Sequence, residues 1–273
     1  MNLLVWNDGA PSGEDNMARD AWLLAEAERL GRPLLRLYGW ERPTLSLGRA
    51  QRLERELNLE VLAQDHIPLV RRMTGGRAVL HGHDITYALA APEGTYGGLM
   101  DCYRLTAGAL LAWLKALGVP ASSQPFTRAE QTGGANANCF AAPSACEIVV
   151  HGKKLAGSAQ RRRAGAWLQH GSIPLRVNTS QMAALFTGET PASIQAAMAS
   201  LEELGLTDRF STEALRQGLI QAFVEALGAE AAEPLLTPPD LLARLAQDAS
   251  AYRVVPAGIS SGSVPGQPPT ARR

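Results

Sequence analysis

The 273-residue sequence predicts an α/β (α+β) fold, with helices flanking runs of adjacent strands, rather than a doubly wound parallel sheet. Three observations lead there. The short apolar pieces "IPLVRRM", "RAVLH" and "ITYALAAP" follow one another with only Gly and polar turns between them, the spacing of neighbouring antiparallel strands. "CEIVV", "KLAGSAQRR" and "WLQHGSIPLRV" repeat the pattern around the turns "HGK" and "RAG", as a three-strand meander. Before, between and after these runs stand segments with apolar residues at helical spacing.

Taken in order, "NMARDAWLLAEAERLGRP" is a helix started by Asp15 or Asn16 and ended by Gly31 and Pro33. "PLLRLYGW" and "TLSLG" read as strands and "QRLERELNLEVLAQDH" as a helix. After the first three short strands, "DCYRLTAGALLAWLKALGVP" is a helix stopped by Gly118 and Pro120. A loop from about Ala121 to Asn138 lacks periodicity, and loops of that length are usually functional or mobile. Helices over "SQMAALFTG", "PASIQAAMASLEELG" and "STEALRQGLIQAFVEALG" follow the meander. The tail "AYRVVPAGISSGSVPGQPPTARR" is rich in Pro, Gly and Ser, a composition that stays disordered. The expected organisation is one domain over residues 1–250 and a disordered tail over 251–273.

Composition narrows the function. Lys plus Arg and Asp plus Glu both number 26, so there is no global positive field to gather nucleic acid. Three cysteines, none in a CxxC pair, argue against a disulfide framework or a Cys-based zinc site. The opening "MNLLVWNDGAPSGED" lacks the basic start and apolar run of a secretory signal, and no stretch reaches transmembrane length. A cytoplasmic protein with no nucleic-acid or membrane partner is expected, with its thiols reduced.

Two segments carry chemistry. In "VRRMTGGRAVLHGHDITYALAAP", Gly75 and Gly76 let backbone approach a ligand closely, with Arg71 and Arg72 before them and His81 after. An Arg beside exposed N–H groups suits a phosphate or an acyl oxygen; a glycine hairpin with solvated arginines has the same residues. Neither G-x-G-x-x-G nor G-x-x-x-x-G-K-[ST] occurs, which disfavours standard dinucleotide and P-loop sites. His81 and His83 share a strand face as a metal pair would, but with Asp84 pointing the other way nothing completes a site, and no metal is expected.

The second segment is "NCFAAPSACEIVVHGKKLAGSAQRRRAGAWLQHGS". Cys102 opens a helix with an apolar face, and Cys146 stands beside a strand start. Cys139 ends the long loop, near the strand that bears Lys154. Strand alternation puts Lys154 on the face of Ala156, Ser158 and Gln160, small or polar neighbours that suit a lined pocket. An ammonium near a thiol favours the thiolate, so Cys139 and Lys154 form a candidate acyl-transfer dyad; a buried thiol and a solvated charge are the alternative.

"RRMTGGRAVLHGHDITYAL", "KKLAGSAQ" and "QHGSIPL", with "NMARDAWLL", "YGW" and "TLSLGRAQ", resemble the ordered motifs of the biotin/lipoate ligase and octanoyltransferase superfamily from about Trp6 to Leu227. "TGGRAVLH", with Arg77 where lipoate ligases usually have a third glycine, and "CFAAPS" ahead of "GKKLAGSAQ" resemble the octanoyltransferase branch of lipoate assembly. The resemblance implies a biotin/lipoate ligase-like catalytic domain with a mixed, largely antiparallel sheet flanked by helices. It implies catalytic roles for Cys139 and Lys154. It implies substrate-binding roles for Arg71, Arg72, Thr74, Gly75, Gly76, Arg77, Ala78, His81, Gly157, Ser158, Ala159, His170 and Gly171. No cofactor is implied. The implied donor is octanoyl-acyl-carrier protein, and the implied acceptors are lipoyl domains of 2-oxoacid dehydrogenases and glycine-cleavage H protein. Arg161 to Arg163 are a candidate docking element for the acidic carrier, or a solvated turn. Ala145-Cys146 stand where the family often has aromatic residues, which bears on the shape of the acyl pocket. An ATP-dependent lipoate–protein ligase, an octanoyl amidotransferase between lipoyl domains, and a non-catalytic binder of acylated carriers are the competing readings.

Overall fold

The computed structural model describes residues 1–52, 56–124, 146–237 and 239–256. An eight-stranded sheet runs β11-β1-β2-β6-β10-β9-β8-β7, and β4-β3-β5 form a second, small sheet. β1 (Leu3–Asp8) pairs in parallel with β2 (Leu34–Tyr38) and with β11 (Ala232–Pro234). From β2 onward, through β6 (Asp84–Pro92), β10 (Ala166–Pro174), β9 (Lys153–Arg163), β8 (Ile148–Val150) and β7 (Ala121–Ser123), every pairing is antiparallel. The sheet is mixed and largely antiparallel, and the meander is in place as β8, β9 and β10.

Helices cover both faces. α1 (Gly13–Leu30) starts at Ser12, whose side chain accepts from the Asp15 N–H, and stops at Gly31 in the left-handed region. Its Met17, Leu23, Leu24 and Ala27 pack on Leu34, Ala88, Ala90, Ala166 and Leu168 of one face. On the other face, α3 (Leu99–Ala116) and α7 (Thr212–Ala226) bury Leu110, Trp113, Leu219 and Phe223 against Leu35, Tyr87, Leu89 and Trp167. The small sheet has its own core, where Leu45, Leu47, Leu69 and Ala78 meet Leu62 of α2 (Leu59–Gln64), Leu185 of α4 (Thr179–Leu185) and Ile194 of α5 (Pro191–Ala197).

Several expectations are corrected. β4 (Leu69–Arg71) and β5 (Val79–His81) are not neighbours of each other or of β6: both flank β3 (Thr44–Leu47), β4 in parallel and β5 antiparallel. Apolar periodicity fixes a strand but not its partner. α2 is one short piece of the longer helix expected from Gln51. The helix expected over "PASIQAAMASLEELG" ends at Ala197, because Met198 is extended and bridges Lys154, and the chain turns before α6 (Leu206–Arg209). The loop expected from Ala121 does not begin there, since Ala121–Ser123 is a strand, and residues 125–145 lie outside the described residues. The tail is ordered past residue 251: a 3-10 turn over Ala249–Tyr252 follows α8 (Pro239–Asp248). Arg253 then pairs with Glu14 at 2.8 Å, and the Val254 N–H donates to the Leu69 carbonyl. Residues 257–273 lie outside the described residues, as does Cys139.

Candidate active site

The glycine segment joins β4 to β5. Gly76 has φ +87°, which suits glycine, and its carbonyl oxygen lies 1.9 Å from where a Cβ on Gly48 would stand. Arg72 braces this turn from behind. Its guanidinium donates to the Ser46 carbonyl (2.9 Å), Ser46 Oγ (3.1 Å), the Gly75 carbonyl (2.9 Å) and the Arg77 carbonyl (2.6 Å). Burial pushes its pKa down to about 10, still a cation at neutral pH. Arg71 likewise donates to the carbonyls of Gly48 (2.8 Å) and Gln51 (3.0 Å). Both arginines therefore shape the loop through main-chain contacts. Because the peptide is planar and trans, turning the Gly75 carbonyl onto Arg72 aims the Gly76 N–H the opposite way.

Two histidines, each backed by a buried aspartate, hold the loop. His170 Nδ1 donates to Asp20 Oδ2 at 2.9 Å, and its Nε2 meets Thr74 Oγ1 at 2.7 Å. Asp20 also receives Arg36 Nη1 (2.8 Å) and the Tyr38 hydroxyl (3.0 Å). Burial alone would raise the Asp20 pKa, but the His170 hydrogen bond and the Arg36 charge outweigh it and hold the carboxyl below its ordinary value. Arg36 is fully buried between Asp8, Asn16 and Asp20. His81 repeats the arrangement: Nδ1 donates to Asp84 Oδ2 (2.8 Å), Nε2 meets Ser46 Oγ (2.9 Å), and the ring stacks on Trp40 at 4.0 Å. Asp84 thus turns back toward His81, contrary to expectation, because Gly82 (φ +136°) reverses the chain and donates its N–H to Asp84 Oδ1. Thr86 and Ser172 donate to the same carboxylate. Burial opposes its ionisation, yet the His81 contact and these donors lower the pKa. His83 contacts Arg176 instead, and among the described residues no cluster of three His, Cys, Asp or Glu could hold a metal.

Lys154 approaches the same face from β9. The pairing of β8 with β9 shifts between Ile148 and Val149, a bulge that leaves Leu155 unpaired and re-aims Lys154. Its side chain lies over Gly157, where a Cβ would come within 2.8 Å of Cε, and its Nζ is ion-paired with Glu147. Ala156 instead enters the helix-covered core, and Ser158 bonds the Tyr87 hydroxyl at 2.6 Å on that side, so the face predicted by strict alternation is corrected. Gly171, opposite Ser158, shares that face; a Cβ there would sit 2.5 Å from the Tyr87 oxygen. Gly157 pairs with Ser172 and Ala159 with His170. Residues 170 and 172 are about 7 Å apart along a strand, so Lys154 and the glycine loop lie on the same face of β10. Ala78 is a core residue under the loop, and Arg77 contributes its carbonyl to Arg72. Arg162 and Arg163 are paired with Glu93 and Glu28, which leaves the arginine triplet largely neutralised.

Asp20, Asp84, Arg36 and Glu147 were missed from the sequence. The signal for Glu147 was its place at the start of the strand facing Lys154.

The family model for the lipoyl protein ligase A/B catalytic domain matches residues 12–224. The chain belongs to this family. Octanoyltransferase LipM of Moorella thermoacetica is 41% identical over 229 residues, covering 79% of this chain and 82% of that protein. Octanoyltransferase LipM of Kyrpidia tusciae is 36% identical over 267 residues, covering 90% and 96%. Among solved structures, lipoate-protein ligase A bound with ATP superposes with a TM-score of 0.72 at 22% identity, over 91% of this chain and 94% of that one. A bi-partite lipoate protein ligase from Thermoplasma acidophilum gives 0.70 at 20% identity, over 91% of each. These structures establish the fold, a lipoyl protein ligase A/B catalytic domain.

Proposed function

We infer that this member of the family transfers an octanoyl group from octanoyl-acyl-carrier protein to a lysine of a lipoyl domain or of glycine-cleavage H protein, through a thioester on Cys139. The transferase reading rests on the relatives at 36–41% identity, both octanoyltransferases. One structural observation carries the dyad: the segment 125–145, which holds Cys139, leaves at Gln124 and returns at Cys146, next to Glu147, the partner of Lys154. Backbone bonds from Cys146 N to Gln124 O (3.1 Å) and from Gln124 N to Glu147 O (2.9 Å) hold those ends together.

In the first half-reaction the Cys139 thiolate attacks the thioester carbonyl carbon. The carbonyl oxygen takes the negative charge, with the Gly76 N–H as the proposed donor to it. Collapse breaks the bond to the phosphopantetheine sulfur, which leaves as a thiol with a proton from Lys154. In the second, the acceptor amine attacks the acyl-Cys139 carbon, the C–S bond breaks to release the Cys139 thiolate, and the proton lost by the amine is taken up by Lys154, which restores its ammonium. The thioester is already activated, so the scheme uses no ATP. Arg71 and Arg72, engaged with main-chain carbonyls, suit a shaped acyl-oxygen site better than a nucleotide phosphate site. A mechanism built on a free thiol belongs in a reducing compartment, and we place it in the cytoplasm; no helix among the described residues is long and apolar enough to cross a membrane.

The test is intact-mass spectrometry after mixing with octanoyl-acyl-carrier protein without ATP, using wild type, Cys139→Ala and Cys146→Ala. A hydroxylamine-labile octanoyl adduct on wild type and Cys146→Ala, absent from Cys139→Ala, is the expected result. Octanoylation of a lipoyl domain only when ATP and free octanoate are supplied would make the chain a ligase instead.

A further inference from the structure

Glu147 is a buried carboxylate, 4% exposed, that the scheme above does not use. Its side chain contacts Lys154 Nζ, whose own side chain is 25% exposed. Two backbone irregularities bring the pair together. Cys146 adopts φ +61°, a left-handed conformation that non-glycine residues disfavour, and so swings Glu147 inward at the start of β8. Across the ladder, the bulge in β9 turns Lys154 to the same side. The notch left by Gly157 gives the lysine methylenes room, with Nζ 3.0 Å from the position a Cβ would take. Met198 and Ala199 clamp the Lys154 backbone, the Ala199 N–H donating to its carbonyl at 2.9 Å. A flexible four-carbon side chain is in this way tied at both ends.

We propose that Glu147 is a positioning residue for octanoyl transfer, acting through Lys154. The proposal rests on the octanoyl-transfer reading above. The carboxylate fixes where the ammonium nitrogen sits, and proton transfer needs the nitrogen within hydrogen-bond reach of the sulfur that gains or loses the proton. Without the carboxylate, the ammonium swings among solvent-exposed rotamers and is in place for only a fraction of encounters. Glu147 acts only through its contact with Lys154 Nζ, so its effect exists only while Lys154 is present.

That dependence is the test. The rate of octanoyl loading from octanoyl-acyl-carrier protein is measured by rapid quench and intact mass for wild type, Glu147→Gln, Lys154→Ala and the double variant, with melting temperatures alongside. Glu147→Gln is expected to load about 10-fold to 100-fold more slowly, and Lys154→Ala at least about 100-fold more slowly. In the Lys154→Ala background, Glu147→Gln is expected to change the rate by less than about 2-fold, the non-additivity of residues acting as a unit. Glu147→Asp, which keeps the charge on a shorter stem, is expected between wild type and Glu147→Gln, and it replaces the latter in the cycle if that variant does not fold. Wild-type loading by Glu147→Gln, or an equal further loss in the Lys154→Ala background, overturns the positioning role and leaves the transferase reading intact. A wild-type protein that takes up no octanoyl group overturns both.

Discussion

Thr74, on the glycine-loop side, is tied through His170 to Asp20, and from there to Arg36 and Asp8 in the body of the large sheet. Lys154, on the β9 side, is tied to one carboxylate beside the ends of the segment 125–145. The loop side is a buried network in which Asp8, Asn16 and Asp20 receive the Arg36 guanidinium and Asp20 also receives His170 and Tyr38. The lysine side is a single ion pair on a bulged strand, its carboxylate buried and its lysine side chain partly exposed. The two sides differ in how many partners hold each group.

The largest expected effect comes from breaking the loop side. Arg36→Met leaves Asp8 and Asp20 buried without their shared cation and is expected to cost about 3–5 kcal/mol, read as a lower urea midpoint. Gly48→Ala comes next. Its Cβ meets the Gly76 carbonyl, which is backbone and cannot rotate away, so about 1–3 kcal/mol of stability and much of the loading rate should be lost together.

Acid titration sharpens the same contrast. Asp20 and Asp84 both have lowered pKa values in the folded chain, against about 3.9 when unfolded. Between the folded and unfolded values the unfolded chain binds more protons, so stability rises with pH. The contribution is full above about pH 5 and is lost as pH falls through the folded values. Urea midpoints from pH 5 downward should show this slope, and Asp84→Asn should flatten it. The smallest stability effect is expected on the lysine side. The Cβ added by Gly157→Ala meets the end of the Lys154 side chain, with Glu147 Oε1 at 3.5 Å, so its stability change should stay within about 0.5 kcal/mol. Its loading rate should still fall by about 10-fold or more, since displacing a reacting group by an ångström can cost that much.

The meander β8–β10 and the helix α1 with its Gly31 stop were legible, because each is written in local periodicity and turn residues, although α1 starts at Ser12 and not at Asp15 or Asn16. Strand partners were not, since β4 and β5 look alike whether they pair with each other or with β3. The face of Lys154 was misread because one bulge inverts the alternation, and nothing in "GKKLAGSAQ" marks it. The aspartates behind the histidines escaped for different reasons. Asp84 lies within three residues of His81 but depended on Gly82 turning the chain, whereas Asp20 is 150 residues from His170.

That last separation has a consequence in time. A nascent chain elongates at about 5–20 residues per second, so Asp20 emerges about 8–30 s before the histidine that will join it. During that interval α1, β2 and the Arg36 ion pairs can assemble, yet Thr74 still lacks its imidazole. The parallel edge is completed later again, when Ala232–Pro234 reaches β1. One of the contacts that hold the glycine loop is therefore made only after residue 170 has emerged, and a chain released before then would keep its Asp20 and Arg36 pair and the Arg72 brace but lack the His170 tie to Thr74.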